Sequence, residues 1–392
     1  MNSISNWSKC VGRGREIFVV AATGGHARQL TFDGQLTTGA TWTSNSREIV
    51  FASSRNKAQG ELWRISVSNG ALQPLSPAVR SVSFPSISRE RRRLAFSESW
   101  TDSNIHLRTG PGFPRAGMPW QFNEPVGVVV STRADHSPAF PPDGERMVFV
   151  SDRSGNEEIC TSRRDGSEAV QLTSFGNKSA GSPRWSPDGK NIAFDVWSSN
   201  ESNIYLVKPH GGAAGRLSEE PGESWMPSWS QDGESIYFTS RRSGAREIWK
   251  MPATGGAATQ VTHAGAYEAH AAPDGKAIYF TRSTPAGCCA IWSLPAGGGP
   301  EQPVRELERF VPVSRSWGVV NEGIYFISKQ AKGLPMVRFL SFATGEVAGI
   351  TRLNREPGWI FPSLALSPDG RYLLTVQIDR EVNDLMMVEN FR

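Results

Sequence analysis

The chain has 392 residues, 38% of them hydrophobic and 20% charged, a composition that excludes disorder and describes an ordinary globular protein. A formal net charge of +4 is too small and too diffuse for the basic stripe that nucleic-acid binding needs. The 39 Gly and 26 Pro follow no collagen-like period and fit many tight turns.

Residues 1–14 match no later stretch and carry no apolar h-region. They read as a loose leader without a visible signal peptide, ahead of a single domain over residues 15–392. No run approaches the roughly 18 apolar residues of a membrane span. From Glu16 onward one unit recurs, clearest over Ser182–Thr262, and each copy holds four short runs of alternating apolar residues separated by turn residues. That period of two is the signature of half-buried strands. One such unit cannot bury both faces of its own small sheet, so copies must stack.

The strands of a unit are called A to D. The chain starts on an orphan C–D pair, Glu16–Val20 and Arg28–Thr31, with Gly24-Gly25 as the turn. Full units follow, with A–B hairpins ending near Phe51, Phe96, Phe149, Phe194, Phe238, Phe280, Phe326 and Leu374. The C strands begin on a polar residue followed by an aliphatic one, as in Glu158-Ile159, Asn203-Ile204, Glu247-Ile248, Asn104-Ile105 and Asp384-Leu385. The last unit lacks a D strand. Pairing Arg28–Thr31 with that last unit closes a ring of eight blades (seven is the alternative) and leaves Ile17–Val20 as a surplus strand. The A–B turns, such as Ser186-Pro187-Asp188-Gly189, put Pro second and Gly fourth, as a type I turn prefers; their aspartates read as turn formers. The irregular stretch between Leu107 and Val128, rich in Pro and Gly, reads as one long loop.

The four cysteines form no Cys-x-x-Cys pair. Cys160 fills the slot that Trp249 and Trp292 take in other copies, which predicts a buried thiol. Sequence inspection finds no nucleophile elbow, no His-Glu-x-x-His, no phosphate-cradling loop and no EF-hand loop. His263 and His270 flank a loop with Tyr267 and Glu268, but their spacing matches no metal motif. No metal and no cofactor are expected.

The succession Pro-x-Trp-Ser-Pro-Asp-Gly-x-x-Ile-x-Phe, then Ile-Trp/Tyr, then Gly-Gly-x-x-x-Gln-Leu-Thr resembles the WD40-like repeat of the TolB-type β-propellers. The resemblance covers roughly residues 15–391, strongest over Ser137–Pro303. It implies an all-β propeller of four-stranded antiparallel blades. It also implies a non-enzymatic protein-binding platform in the bacterial periplasm; without a visible signal peptide the cytoplasm stays open. Similar propellers form the sensory half of membrane-anchored winged-helix transcriptional regulators, so a fragment of such a regulator is a second reading.

In such a ring the residues entering strand A rim the central channel. Here they interleave aromatic and charged side chains: Asp135, His136, Trp225, Tyr267, Glu268, His270, Arg309 and Trp359. That mixture suits a protein or peptide partner, bound by a monomer. A third reading is a hydrolase or lyase at the channel mouth with His136, Glu268 and His270 as acid–base groups.

Overall fold

The computed structural model describes residues 16–391 except 34–36, 56–59, 77–80, 89, 91, 114–120, 177, 199–200, 220–222, 284–288, 330–332 and 358–360. The described chain is all-β; its one helical turn is a 3-10 segment, Arg305–Leu307. Residues 1–14 and Trp359 lie outside the described residues.

Five successive units each form a four-stranded antiparallel sheet in the order A-B-C-D. They start at Asp135 (blade 1), Ser179 (blade 2), Ser224 (blade 3), Tyr267 (blade 4) and Pro312 (blade 5). The inner A strand of each blade touches the next, and Leu364–Leu366 completes the circle by touching both Pro312–Val320 and Asp135–Ala139. Among the described residues the ring therefore holds six blades, and neither eight nor seven. The Ser137 N–H donates to the Pro362 carbonyl over 3.0 Å, a backbone bond across the point of closure.

The sixth blade is built from two distant parts of the chain. Two 17-residue strands, Arg93–Thr109 and Tyr372–Val388, run antiparallel along their whole length. Their inner halves pair with Leu364–Leu366 on one side and Val126–Val129 on the other, making blade 6. Their outer halves pair with Ser81–Ser88 and make a three-stranded sheet outside the ring. The sequence reading expects each long strand to turn back at mid-length as a B–C hairpin. The B–C turns at Gly155 and Gly244 take φ of 100° and 94°, which favours glycine. Neither Arg93–Thr109 nor Tyr372–Val388 contains a Gly or Pro, so nothing breaks them and each runs on into the other's sheet.

Closure by Arg28–Thr31 does not occur. Arg28–Gln29 pairs with Phe18–Val19 alone, and that pair packs Ile17 and Leu30 onto the four-stranded sheet Thr37–Ser76. This sheet in turn packs on the three-stranded one through Val50, Leu62, Val82 and Leu94. The three pieces form a wing attached to the ring by the two long strands. The orphan pair is a C–D pair as expected, but it caps the wing.

Apolar residues are buried between sheets and not within one. Val148, Val150 and Leu172 of blade 1 meet Ala180, Phe194 and Val196 of blade 2. Ile105, Leu374 and Val376 of blade 6 meet Met147 and Phe149 of blade 1. The repeated B-strand phenylalanines Phe149, Phe194, Phe238, Phe280 and Phe326 are wholly buried.

The repeated C and D motifs are explained by one clip. The Thr173 hydroxyl donates to the Glu158 carboxylate over 2.6 Å and accepts the Ile159 N–H over 2.9 Å. Thr262 does the same for Glu247 and Ile248. The A–B turn aspartates are structural: Asp188 accepts from the Ser186 hydroxyl over 2.6 Å and from the Lys190 N–H. The Ser186 bond first, then the Lys190 N–H, draw its carboxyl down to about 2.

Candidate functional site

The inner strands of blades 1 to 5 each break their ladder once. At the break sits a non-glycine residue with left-handed backbone, from Ser182 at φ 49° to Arg315 at φ 62°, with Ser137, Met226 and Glu268 between. Such a conformation costs on the order of 1 kcal/mol or more, so the packing must hold it. Ser182, Met226, Glu268 and Arg315, with Arg184, His270 and Pro362, line a space of only about 10 Å³ between the inner strands. That is room for about one water, and this narrow point between the inner strands is called the waist.

The waist is a polar plug. Arg315 Nη2 donates to the Ser182 hydroxyl over 2.6 Å, and Trp317 Nε1 donates to Glu268 Oε2 over 2.9 Å. His270 Nε2 stands 3.8 Å from Glu268 Oε1. Burial alone would push the Glu268 carboxyl up, but His270, Arg315 and Arg184 together hold it below the ordinary value. Burial lowers His270 despite Glu268 beside it, and lowers the enclosed Arg184 guanidinium.

Two open spaces flank the waist. On the side of the Pro-Asp-Gly turns a cavity of about 460 Å³ is lined by Trp185, Trp229, Pro187, Pro273 and Tyr325. Its indoles are committed to holding blades together: Trp185 Nε1 donates to the Ala139 carbonyl and Trp229 Nε1 to that of Arg184.

On the opposite side, where the ring meets the wing, lies a cleft of about 920 Å³. Its aromatic walls are Trp100, Trp197 and Phe361, and its charged groups Arg133, Arg380, Asp152, Glu157 and Glu381. The cleft exists because the long strands cross from ring to wing here. Trp100 lies at the crossing on one and Arg380 on the other, with the guanidinium 5.3 Å from the ring centre. Burial pushes the Asp152 carboxyl up, against the Ala134 N–H that donates to it over 2.9 Å. His136 supports the floor: its ring stacks on Phe361 at 3.8 Å and 16°, and its Nε2 meets Glu157 Oε1 at 3.3 Å.

The residues expected to rim one face separate into three groups. Asp135, His136 and Glu268 are buried: Glu268 sits at a ladder break, whereas Asp135 and His136 pair regularly just before one, and Asp135 accepts from Arg153 Nη2 over 2.9 Å and from the Ser131 hydroxyl over 2.7 Å. They support the face and do not form its surface. Glu268 and His270 share the waist, while His136 belongs to the floor of the cleft, so the three acid–base groups of the enzyme reading are not assembled at one point. Trp225 and Tyr267 are half-buried: Trp225 lies under Arg241 at 6.0 Å, and the Tyr267 hydroxyl meets Cys289 Sγ at 2.6 Å. Arg309 is exposed and covers the ring of Phe310 at 5.0 Å. His263 is exposed and does not join His270. Sequence reasoning missed Trp100, Trp197, Arg133 and Arg380; the signal for two of them was the absence of Gly and Pro through both crossings.

A family model described as the TolB beta propeller domain matches residues 176–298. A protein TolB homolog of Chlorobaculum tepidum is 41% identical over 70 residues, which are 18% of this chain and 16% of that relative. The chain therefore aligns with well under a fifth of that relative's length. Among solved structures, TolB from Acinetobacter baumannii is 14% identical with a TM-score of 0.48, covering 89% of this chain and 81% of the other. A puromycin-hydrolyzing peptidase of Mycobacterium tuberculosis is 15% identical with a TM-score of 0.46, covering 84% and 56%. No helix among the described residues is long and apolar enough to cross a membrane.

Proposed function

As a chain that carries TolB-type propeller repeats, the protein acts, we propose, as a non-catalytic platform that captures a protein or peptide partner in the cleft between ring and wing. The observation that carries this reading is the cleft itself: about 920 Å³, walled by three aromatic side chains and edged by charges of both signs. Aromatic anchors and arginines in a concave site are what supplies most of the energy in protein recognition. Trp225 with Arg241, and Tyr267, extend the face around the ring. The resemblance to TolB-type propellers supports a periplasmic setting.

The test is affinity capture from a bacterial cell-envelope extract, with the retained partner identified by mass spectrometry and its affinity then measured by calorimetry. Trp197→Ala combined with Arg380→Ala abolishes capture while the melting temperature stays within a few degrees of wild type. Full capture by this variant would remove the cleft as the site.

A further inference from the structure

Among the described residues, the three-stranded sheet of the wing stops one strand short of a blade. Its outer strand is the second half of Tyr372–Val388, and its register repeats that of a complete blade. Asp384 faces Glu98, Leu385 faces Ser97 and Met386 faces Phe96. In blade 1, Glu158 faces Ser151, Ile159 faces Val150 and Cys160 faces Phe149. Asp384, Leu385 and Met386 thus stand where Glu158, Ile159 and Cys160 stand.

In complete blades that edge is covered in one recurring way. The Leu172 N–H donates to the Ile159 carbonyl over 2.7 Å, and the Val261 N–H to the Ile248 carbonyl over 2.8 Å. The threonine that follows clips the C-strand acid and the next N–H, as described above for Thr173 and Thr262. Gln171 lies opposite Cys160 and Gln260 opposite Trp249. Under this cover and the neighbouring blade, Ile159 and Ile248 are 0% exposed, whereas Leu385 is 74% and Met387 56% exposed. An apolar strand edge left open in this way invites pairing.

We infer that the outer edge of Asp384–Met387 accepts an extended segment of a partner protein with the pattern Gln-Leu/Val-Thr, added as the missing fourth strand. The molecule's own blades name the occupant. The incoming Gln lies opposite Met386, the aliphatic residue donates its N–H to the Leu385 carbonyl, and the Thr hydroxyl bridges the Asp384 carboxylate and the Leu385 N–H. The preceding residues of the same strand, Arg380–Asn383, line the cleft, so a segment seated here is continuous with that surface. The edge nevertheless binds on its own and does not require the cleft to be occupied.

The probe is a fluorescein-labelled peptide with the sequence of this chain's own residues Ser167–Phe175, titrated with the full chain and followed by anisotropy. Saturable binding is expected, weakened at least tenfold by Leu385→Pro, which removes an outward N–H and leaves the bonds to Arg93–Thr109 in place. Asp384→Lys, and Val in place of the peptide's Thr, weaken it in the same way, and Trp197→Ala leaves it unchanged. Melting curves show that Asp384→Lys is folded even if Leu385→Pro is not. Absence of binding, or equal binding by wild type and Asp384→Lys, overturns the inference. A concentration-dependent dimer in sedimentation that Asp384→Lys dissolves would assign the edge to a second copy and also overturn it. Loss of the captured partner in the cleft variant with peptide binding intact, or the reverse, separates failure of the edge from failure of the cleft.

Discussion

Asn104 Nδ2 donates to Asp379 Oδ2 over 2.6 Å across 275 positions of sequence. The same amide reaches Asp102 Oδ1 at 2.8 Å, and its oxygen accepts the Ser131 N–H at 2.7 Å. One buried side chain therefore ties together both long strands and the loop leading into blade 1, at the point where ring becomes wing. Burial pushes the Asp102 carboxyl up in spite of this bond. Replacing Asn104 by Ala leaves these partners without the amide. The expected loss is about 2–3 kcal/mol, read as a lower urea midpoint with an unchanged slope.

The waist predicts an acid dependence. Glu268 is held below its ordinary value and so is His270. A group lowered in the folded state gives stability above its unfolded pKa and loses it as the pH falls through the folded one. Stability should therefore decline as the pH drops below about 6.5, the free histidine value, and further below the ordinary carboxylate range. His270→Phe should flatten the upper part of that decline and Glu268→Gln the lower part, measured as melting temperature against pH. Wild-type-like slopes in both variants would contradict the assignment.

The Thr–Glu clip should matter wherever it is buried. Thr173→Val removes the donor to Glu158 and the acceptor of the Ile159 N–H. The expected cost is about 1–3 kcal/mol, and Thr262→Val should cost a similar amount because its bonds match within 0.1 Å. Thr259→Val, whose hydroxyl makes one exposed 3.4 Å bond, serves as the control with little effect. Urea titration of the three variants checks this.

The left-handed position of Met226, at φ 55°, makes a prediction of opposite sign for two substitutions. Met226→Gly relieves the backbone, and Met226→Val, branched at Cβ, adds to its strain by about 1 kcal/mol or more. Thermal melts should rank the glycine variant above the valine one, although valine keeps more apolar surface.

Burial pushes the Cys160 thiol up to about 12, and the side chain is 8% exposed. It should resist a thiol reagent near pH 8 in the native chain and react once urea unfolds the protein. Peptide mapping of the labelled site reads this directly.

The repeat made the blades legible: alternation set the strands, Pro-Asp-Gly set the A–B turns, and Glu-Ile with Gln-Leu-Thr marked the C and D edges before their clip was visible. Closure was misread because strand counting assumes that each unit pairs with itself. Glu98–Ser103 and Ile378–Asn383 lack the glycine that takes the left-handed position in the B–C turns at Gly155 and Gly244, and this local fact outweighed the repeat. The site was legible only in part. Asp135, His136 and Glu268 were placed on the correct strands, but their burial, and the ladder breaks at left-handed Ser, Met, Glu and Arg beside them, have no composition signal. Trp100 and Arg380 meet only through the crossing, so no reading of single units could have joined them.

The exchange of partners between the long strands is tested most directly by an engineered disulfide. Ser97 and Leu385 are opposed, in the register whose outward N–H and C=O leave a non-hydrogen-bonded pair. Such pairs place Cα atoms about 4.5 Å apart, within disulfide reach. With the four native cysteines replaced by Ala, Ser97→Cys/Leu385→Cys should oxidise to one cross-linked species by peptide mass mapping, while Ser97→Cys/Ile105→Cys should stay reduced. Cross-linking of position 97 to position 105, with none to position 385, would mean that the strands turn back as hairpins and would contradict the clasp and the cleft it makes.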